Sequence, residues 1–129
     1  MEIQIVTPSE NIVTDEADEV YAYGPKGEFG VLSGYAHYVT PLSIGRLYYT
    51  QGDQRKTYVV EGGYMEVYRE KIYVAADRVE EASTLDRAAS EVRLAELEKQ
   101  LGTETIEPQE FQSLIKERDR EAARIQALA

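Results

Sequence analysis

Lys71-Ile-Tyr-Val-Ala-Ala-Asp-Arg-Val-Glu-Glu-Ala-Ser-Thr-Leu-Asp-Arg-Ala-Ala-Ser-Glu-Val-Arg-Leu94 is the stretch in which the character of the chain changes. It begins with alternating β-branched and aromatic residues, which favour strands, and ends in Ala, Glu, Arg and Leu, which favour helix. The contrast persists on both sides of it. All ten tyrosines lie between Tyr21 and Tyr73, and eight of the nine glycines and three of the four prolines precede residue 80. Beyond that point Phe111, Gly102 and Pro108 are the sole residues of their kinds. The expected fold class is therefore α+β: an N-terminal antiparallel β-sandwich over residues 1–82, followed by a C-terminal α-helical hairpin over residues 83–129.

The first 80 residues read as about nine short strands separated by turn signals. Glu2 to Val6 alternates before Pro8, and Asp18 to Tyr23 is a half-buried strand. Gly24-Pro25-Lys26-Gly27 places proline at the favoured second turn position. Arg46 to Thr50 and Lys56 to Val60 flank Gln51-Gly-Asp-Gln54, a compact hairpin signal, and Gly62-Gly63 joins the second of these to Tyr64 to Tyr68. Lys71 to Ala76 is the last run. Close strand spacing without a crossover helix points to a sandwich or barrel.

In the helical part, Ser83 or Thr84 is the expected cap of helix one, and Gly102 stops it just past Leu101. At 100° per residue, helix one carries two apolar stripes and so needs two neighbours: Leu85, Ala88, Ala89, Val92 and Ala95 on one face, Leu94, Leu97 and Leu101 on nearly the opposite one. Pro108 opens helix two, where its missing N–H does no harm. The apolar stripe of helix two is Phe111, Leu114, Ile115, Ala122 and Ile125, with Arg118 inside it. On its far side Lys116, Arg120 and Arg124 form a basic row, for which a solvated face is the plain reading. Burying such a stripe yields about 1.5–3 kcal/mol per large side chain. Ordering backbone costs roughly 1–2 kcal/mol per residue. The hairpin therefore needs support, and a hairpin with two alternative supports is a candidate switch.

The residue types exclude many chemistries. There is no cysteine and one histidine, His37, so thiolate zinc sites, disulfides and Cys- or His-based nucleophilic centres are not expected. A net charge of −10 opposes nucleic acid and anionic lipid as partners. No membrane span or signal peptide is expected, since there is no apolar run of the needed length and no basic start. Asp15, Glu16, Asp18 and Glu19 lack the spacing of a calcium loop and read as a solvated turn and strand start. Gly24, Gly27 and Gly30 precede no helix, so they read as turn geometry rather than a phosphate cradle. The chain is expected to be a non-catalytic interaction protein with no metal or cofactor.

Three segments carry a resemblance over essentially the whole chain. They are Gly27-Glu-Phe-Gly-Val-Leu-Ser-Gly-Tyr-Ala-His-Tyr-Val-Thr-Pro-Leu-Ser-Ile-Gly45, Val60-Glu-Gly-Gly-Tyr-Met-Glu-Val67 and Val74-Ala-Ala-Asp77. Together they resemble the epsilon subunit of F-type ATP synthases, called delta in mitochondria. The resemblance implies a non-catalytic central-stalk subunit whose sandwich binds the gamma subunit and rests on the membrane c-ring. Its hairpin would lie against the sandwich or extend into the catalytic alpha and beta subunits and restrain ATP hydrolysis. The implied location is peripheral, on the cytoplasmic face of an energy-transducing membrane, either bacterial inner membrane or thylakoid. The competing reading is a stand-alone β-sandwich protein-binding module with a helical hairpin, which would need no gamma partner.

By the same resemblance, Glu28, Tyr35 and His37 are candidates for the c-ring or gamma interface, Tyr35 standing where the family usually has histidine. Lys116, Arg118, Arg120 and Arg124 are candidate contacts of the regulatory helix with acidic segments of the catalytic subunits. Some bacterial members bind ATP through an Ile/Leu-Asp-x-x-Arg-Ala motif. Here Leu85, Asp86 and Arg87 begin that motif, but Ala89 and Ser90 replace its Arg and Ala. Arg87 stands two positions before the place of that Arg, about 200° around a helix, so no ATP binding is expected.

Overall fold

The computed structural model describes residues 1–34, 36–103 and 106–129. Among them, ten strands precede two helices: β1 Glu2–Val6, β2 Asn11–Glu16, β3 Glu19–Gly24, β4 Gly27–Leu32, β5 Tyr38–Pro41, β6 Gly45–Gln51, β7 Gln54–Glu61, β8 Tyr64–Tyr68, β9 Lys71–Ala75, β10 Arg78–Glu81, α1 Arg87–Leu101 and α2 Pro108–Ala127. The strands form two five-stranded sheets, in the orders β2-β1-β9-β8-β5 and β10-β7-β6-β3-β4. Period-two alternation fixes which side of each sheet is buried. Ile3, Ile5, Met65, Val67, Ile72 and Val74 of the first sheet meet Val20, Val31, Leu47, Tyr49 and Val60 of the second. The result is the expected sandwich followed by a helical hairpin.

All strand pairs are antiparallel except β1 with β9, which run parallel with Ile3 beside Ile72 and Ile5 beside Val74. The two hairpin signals form as their turn residues require: Gln51 pairs with Gln54, and Gly24 with Gly27. Gly63 is indispensable on geometry. Its φ is +87°, and a Cβ there would lie 1.8 Å from the carbonyl oxygen of Ala75.

β10 is a strand that the sequence pattern did not signal, because Val79 is its single apolar residue. It pairs with β7, Arg78 opposite Glu61 and Glu80 opposite Val59. Asp15 is likewise no solvated turn residue. It accepts hydrogen bonds from Tyr49 Oη (2.8 Å), Gln51 Nε2 (2.7 Å) and Lys56 Nζ (2.9 Å), tying β2 of one sheet to β6 and β7 of the other. These donors, Lys56 foremost, hold its carboxyl well below the usual carboxylate range.

Helix one starts later than Ser83 or Thr84. Residues Ala82–Thr84 make a 3₁₀ turn, closed by Thr84 Oγ1 donating to the Glu81 carbonyl. The cap of α1 is Asp86, whose carboxylate accepts from the Ala89 N–H at 3.1 Å. Aspartate satisfies an orphan amide more strongly than a hydroxyl already engaged elsewhere.

Helix one also has one neighbour where two were expected. Its Ser90 and Leu97 are buried, with Leu94 and Leu101 half-buried, on the side packed on α2. Ala88, Ala89, Val92 and Ala95 are exposed, Val92 by 61%. The hairpin reaches the sandwich through α2, which lies on β6 and β7 of the second sheet.

Candidate functional site

The place where α2 meets the second sheet is the feature most unlike an ordinary core. Positions four apart on a helix are separated by only 40° around its axis. Lys116, Arg120 and Arg124 therefore form one shallow, turning row. Arg120 and Arg124 face the sheet, which corrects the expectation of a far-side, solvated edge for these two, while Lys116 at the start of the row is exposed. The small Ala123, 4% exposed, sits between the two arginines and lets the helix axis approach. The presumed apolar stripe is only partly covered: Phe111 and Ala122 are exposed, and Leu114, Ile115 and Ile125 half-buried.

The row lands on carboxylates. Arg120 forks onto Glu61 at the end of β7, Nε to Oε2 at 2.7 Å and Nη2 to Oε1 at 2.8 Å. Lys116 Nζ stands 3.9 Å from the same carboxylate. Arg124 forks onto Glu80 of β10, at 2.9 and 2.8 Å, and its remaining Nη1 donates to Glu121 of its own helix. Bidentate guanidinium–carboxylate pairs of this kind are among the stronger hydrogen-bonded contacts. The Glu61 side chain is 7% exposed. Arg120 lowers its pKa despite that burial, with Lys116 and Arg78 adding to the effect, while the pKa values of Arg120 and Arg124 are raised by their partners. Gln126 Nε2 donates to Tyr23 Oη beside them.

The other candidate residues fall elsewhere. Arg118, two positions from Arg120 and so about 200° around the helix, pairs with Asp119 at 3.2 Å and takes no part in the row's contacts with Glu61 and Glu80. Glu28 on β4 accepts from Arg46 Nη2 at 3.0 Å, an interaction within the second sheet. His37 directly precedes β5 and lies against the first sheet, its Nε2 3.3 Å from Glu66 and its ring edge-on to Tyr68. Glu28 and His37 thus have separate partners on different sheets, and Tyr35 lies outside the described residues. Leu85, Asp86 and Arg87 do not make a phosphate seat. Asp86 caps α1, while Arg87 donates to Glu91 and to the Leu128 carbonyl. Arg120 and Arg124 are likewise engaged by carboxylates.

Sequence reading missed the acidic side of the seam, Glu61, Glu80 and Glu121. One signal was available for Glu61, a charge ending the apolar run Val59-Val60 directly before Gly62-Gly63. The outer face of the first sheet was missed too, where Val39, Tyr64 and Tyr68 stand exposed. Among the described residues, no cluster of three His, Asp or Glu side chains could hold a metal ion, and no helix is long and apolar enough to cross a membrane.

These features define a class: a β-sandwich carrying a two-helix appendage whose second helix is pinned to the sheet by paired charges. The family model of the ATP synthase delta/epsilon chain β-sandwich domain matches residues 1–82. An ATP synthase epsilon chain of Geotalea uraniireducens is 32% identical over 129 residues, covering 100% of this chain and 94% of that one. Among solved structures, a chain of the Euglena gracilis mitochondrial ATP synthase OSCP/F1/c-ring assembly superposes with a TM-score of 0.86 at 18% identity, covering 98% of this chain and 80% of that one. A chain of the Tetrahymena thermophila mitochondrial ATP synthase central stalk and c-ring gives 0.64 at 14% identity, covering 99% and 96%. The chain belongs to the ATP synthase delta/epsilon family, as an epsilon chain.

Proposed function

We propose that this chain is a non-catalytic subunit of the central stalk, coupling rotation between the membrane c-ring and the catalytic head. Residues 1–82 would be the domain that binds gamma and the c-ring, and residues 83–129 a mobile regulatory domain that restrains ATP hydrolysis by engaging the alpha and beta subunits. The subunit would sit peripherally, on the cytoplasmic face of a bacterial inner membrane or a thylakoid, without ATP of its own.

The observation that carries this reading is the polar seam. The sandwich closes its own core, to which Leu97 and Ala123 of the hairpin do not belong. The helices can therefore leave without opening it. The outer face of the second sheet is partly taken by α2. The first sheet instead presents Val39, Tyr64 and Tyr68 to solvent, a surface suited to a gamma partner since aromatic residues are enriched at interfaces. Glu28, His37 and Tyr35 remain candidates for contacts toward gamma or the c-ring, and Arg118 with the basic row for contacts in the extended state.

The test is removal of all residues after Glu81. The shortened chain should fold as a cooperative β protein, capture gamma and support ATP synthesis, while ATP hydrolysis by the assembled complex rises. Loss of gamma capture by a folded sandwich would refute the division of roles.

A further inference from the structure

We propose that Glu61 and Glu80 are an electrostatic latch for the hairpin, and that the latch consumes the same arginines that any acidic partner of α2 would need. Docking on the sandwich and engagement of such a partner then exclude each other through Arg120 and Arg124. The second half of this statement rests on the regulatory reading above. The first half does not.

The seam mixes small and apolar groups with charge. Val59 on the sheet side, 2% exposed and apart from the main core, and Ala123 on the helix side are buried, and Tyr23, Ile44 and Gly45 lie beside Ala123. The polar contacts across it are the two guanidinium forks, the Lys116 approach and the Gln126–Tyr23 hydrogen bond. When α2 leaves, all four members of the forks regain water together, so the attraction lost is largely offset by hydration. When one member is neutralised in place, its partner is left partly buried without a counter-charge, which is strongly unfavourable. A seam of this composition is bistable and responds to salt, because screening acts on charge pairs and leaves apolar packing nearly untouched.

The chain has no cysteine, so a pair of labels can be placed without background. With Asp53→Cys in the β6–β7 turn and Gln112→Cys on α2, both exposed positions, the distance between spin labels on the full chain should be narrow at low salt. Glu61→Gln with Glu80→Gln should shift it to a broad, longer distribution, and raised salt should do the same to the otherwise unaltered chain. Should the carboxylate variant fail to fold, Arg120→Gln with Arg124→Gln tests the same pairs from the helix side. A narrow distance that persists in a folded neutralised variant and at high salt would overturn the latch. In the assembled ATP synthase, Glu61→Gln with Glu80→Gln frees the basic row intact and should lower ATP hydrolysis. A lengthened label distance with unchanged hydrolysis would sustain the latch and refute the inhibitory role of the hairpin, whereas an unchanged distance refutes the latch whatever hydrolysis does.

Discussion

Between the two sheets, Leu47, Val60, Met65 and Ile72 interlock at exposures of 2% or less. Between the second sheet and α2, the buried groups include Val59, Ala123, Glu121 and the Glu61 carboxylate under its arginine fork. The first interface is held by removal of apolar surface from water, a term that is non-directional and hard to reverse piecemeal. The second is held by geometry-dependent charge pairs whose alternative, hydration of both members, is nearly as good. One chain thus contains a part built to persist and a part built to come and go, and the difference is written in their side-chain chemistry.

The comparison breaks most visibly in the sandwich. Leu47→Ala removes a side chain that is 1% exposed in the packed core, and such truncations cost about 2–5 kcal/mol. A denaturant melt of the full chain should show that loss in the cooperative transition of the sheets. Leu97→Ala makes an equally buried deletion, but within the helical hairpin. Its effect should be confined there, as faster amide exchange along α1 and α2 with the transition of the sheets unmoved. A sheet transition that falls equally for both variants would mean that hairpin and sandwich are one cooperative unit.

An intermediate effect is expected from acid. The Glu61 pKa is lowered on docking, chiefly by Arg120, with Lys116 from the same helix and Arg78 from β10 adding to it. A lowered pKa contributes stability that is fully present above the ordinary carboxylate value, about 4.3, and is lost as pH falls through the lowered value. The label distance should therefore stay narrow from neutral pH down to the ordinary carboxylate range and broaden only below it. Glu61→Gln should diminish that transition. Release beginning near neutral pH would point to a group other than Glu61.

How much of this could be read from the sequence follows from the same contrast. The sandwich was legible because Ile3 with Ile5, Met65 with Val67 and Ile72 with Val74 alternate, and because Gly52-Asp53 and Pro25 mark their turns. The hairpin was legible from Gly102 and Pro108. The orientation of α2 was not, because an apolar stripe is ordinarily taken to mark the buried side of a helix. Here the stripe partly faces α1 and partly water, and the sheet is met by arginines whose partners are 59 and 44 residues away. No local periodicity encodes such pairings. β10 escaped for a related reason: its outward Glu80 serves the seam, and the strand has too few apolar residues to show alternation.

The smallest expected effect sharpens the distinction between a charge pair that latches and one that merely decorates. Arg93 of α1 donates to Glu117 of α2 at 2.8 Å and to Glu96 at 3.2 Å, so on distance alone it matches the Arg120–Glu61 fork. It differs in environment. The Arg93 and Glu117 side chains are 41% and 38% exposed, against 23% and 7% for Arg120 and Glu61. In the exposed pair both groups keep much of their hydration, so neither is stranded when the other is removed, and many surface pairs of this kind contribute nothing measurable. Arg93→Ala should leave both the label distance between β6–β7 turn and α2 and the melting of the sheets unchanged, whereas Arg120→Ala should lengthen the distance. Release of the hairpin by Arg93→Ala to the same degree would mean that total charge pairing, and not burial at Glu61, decides whether α2 stays down.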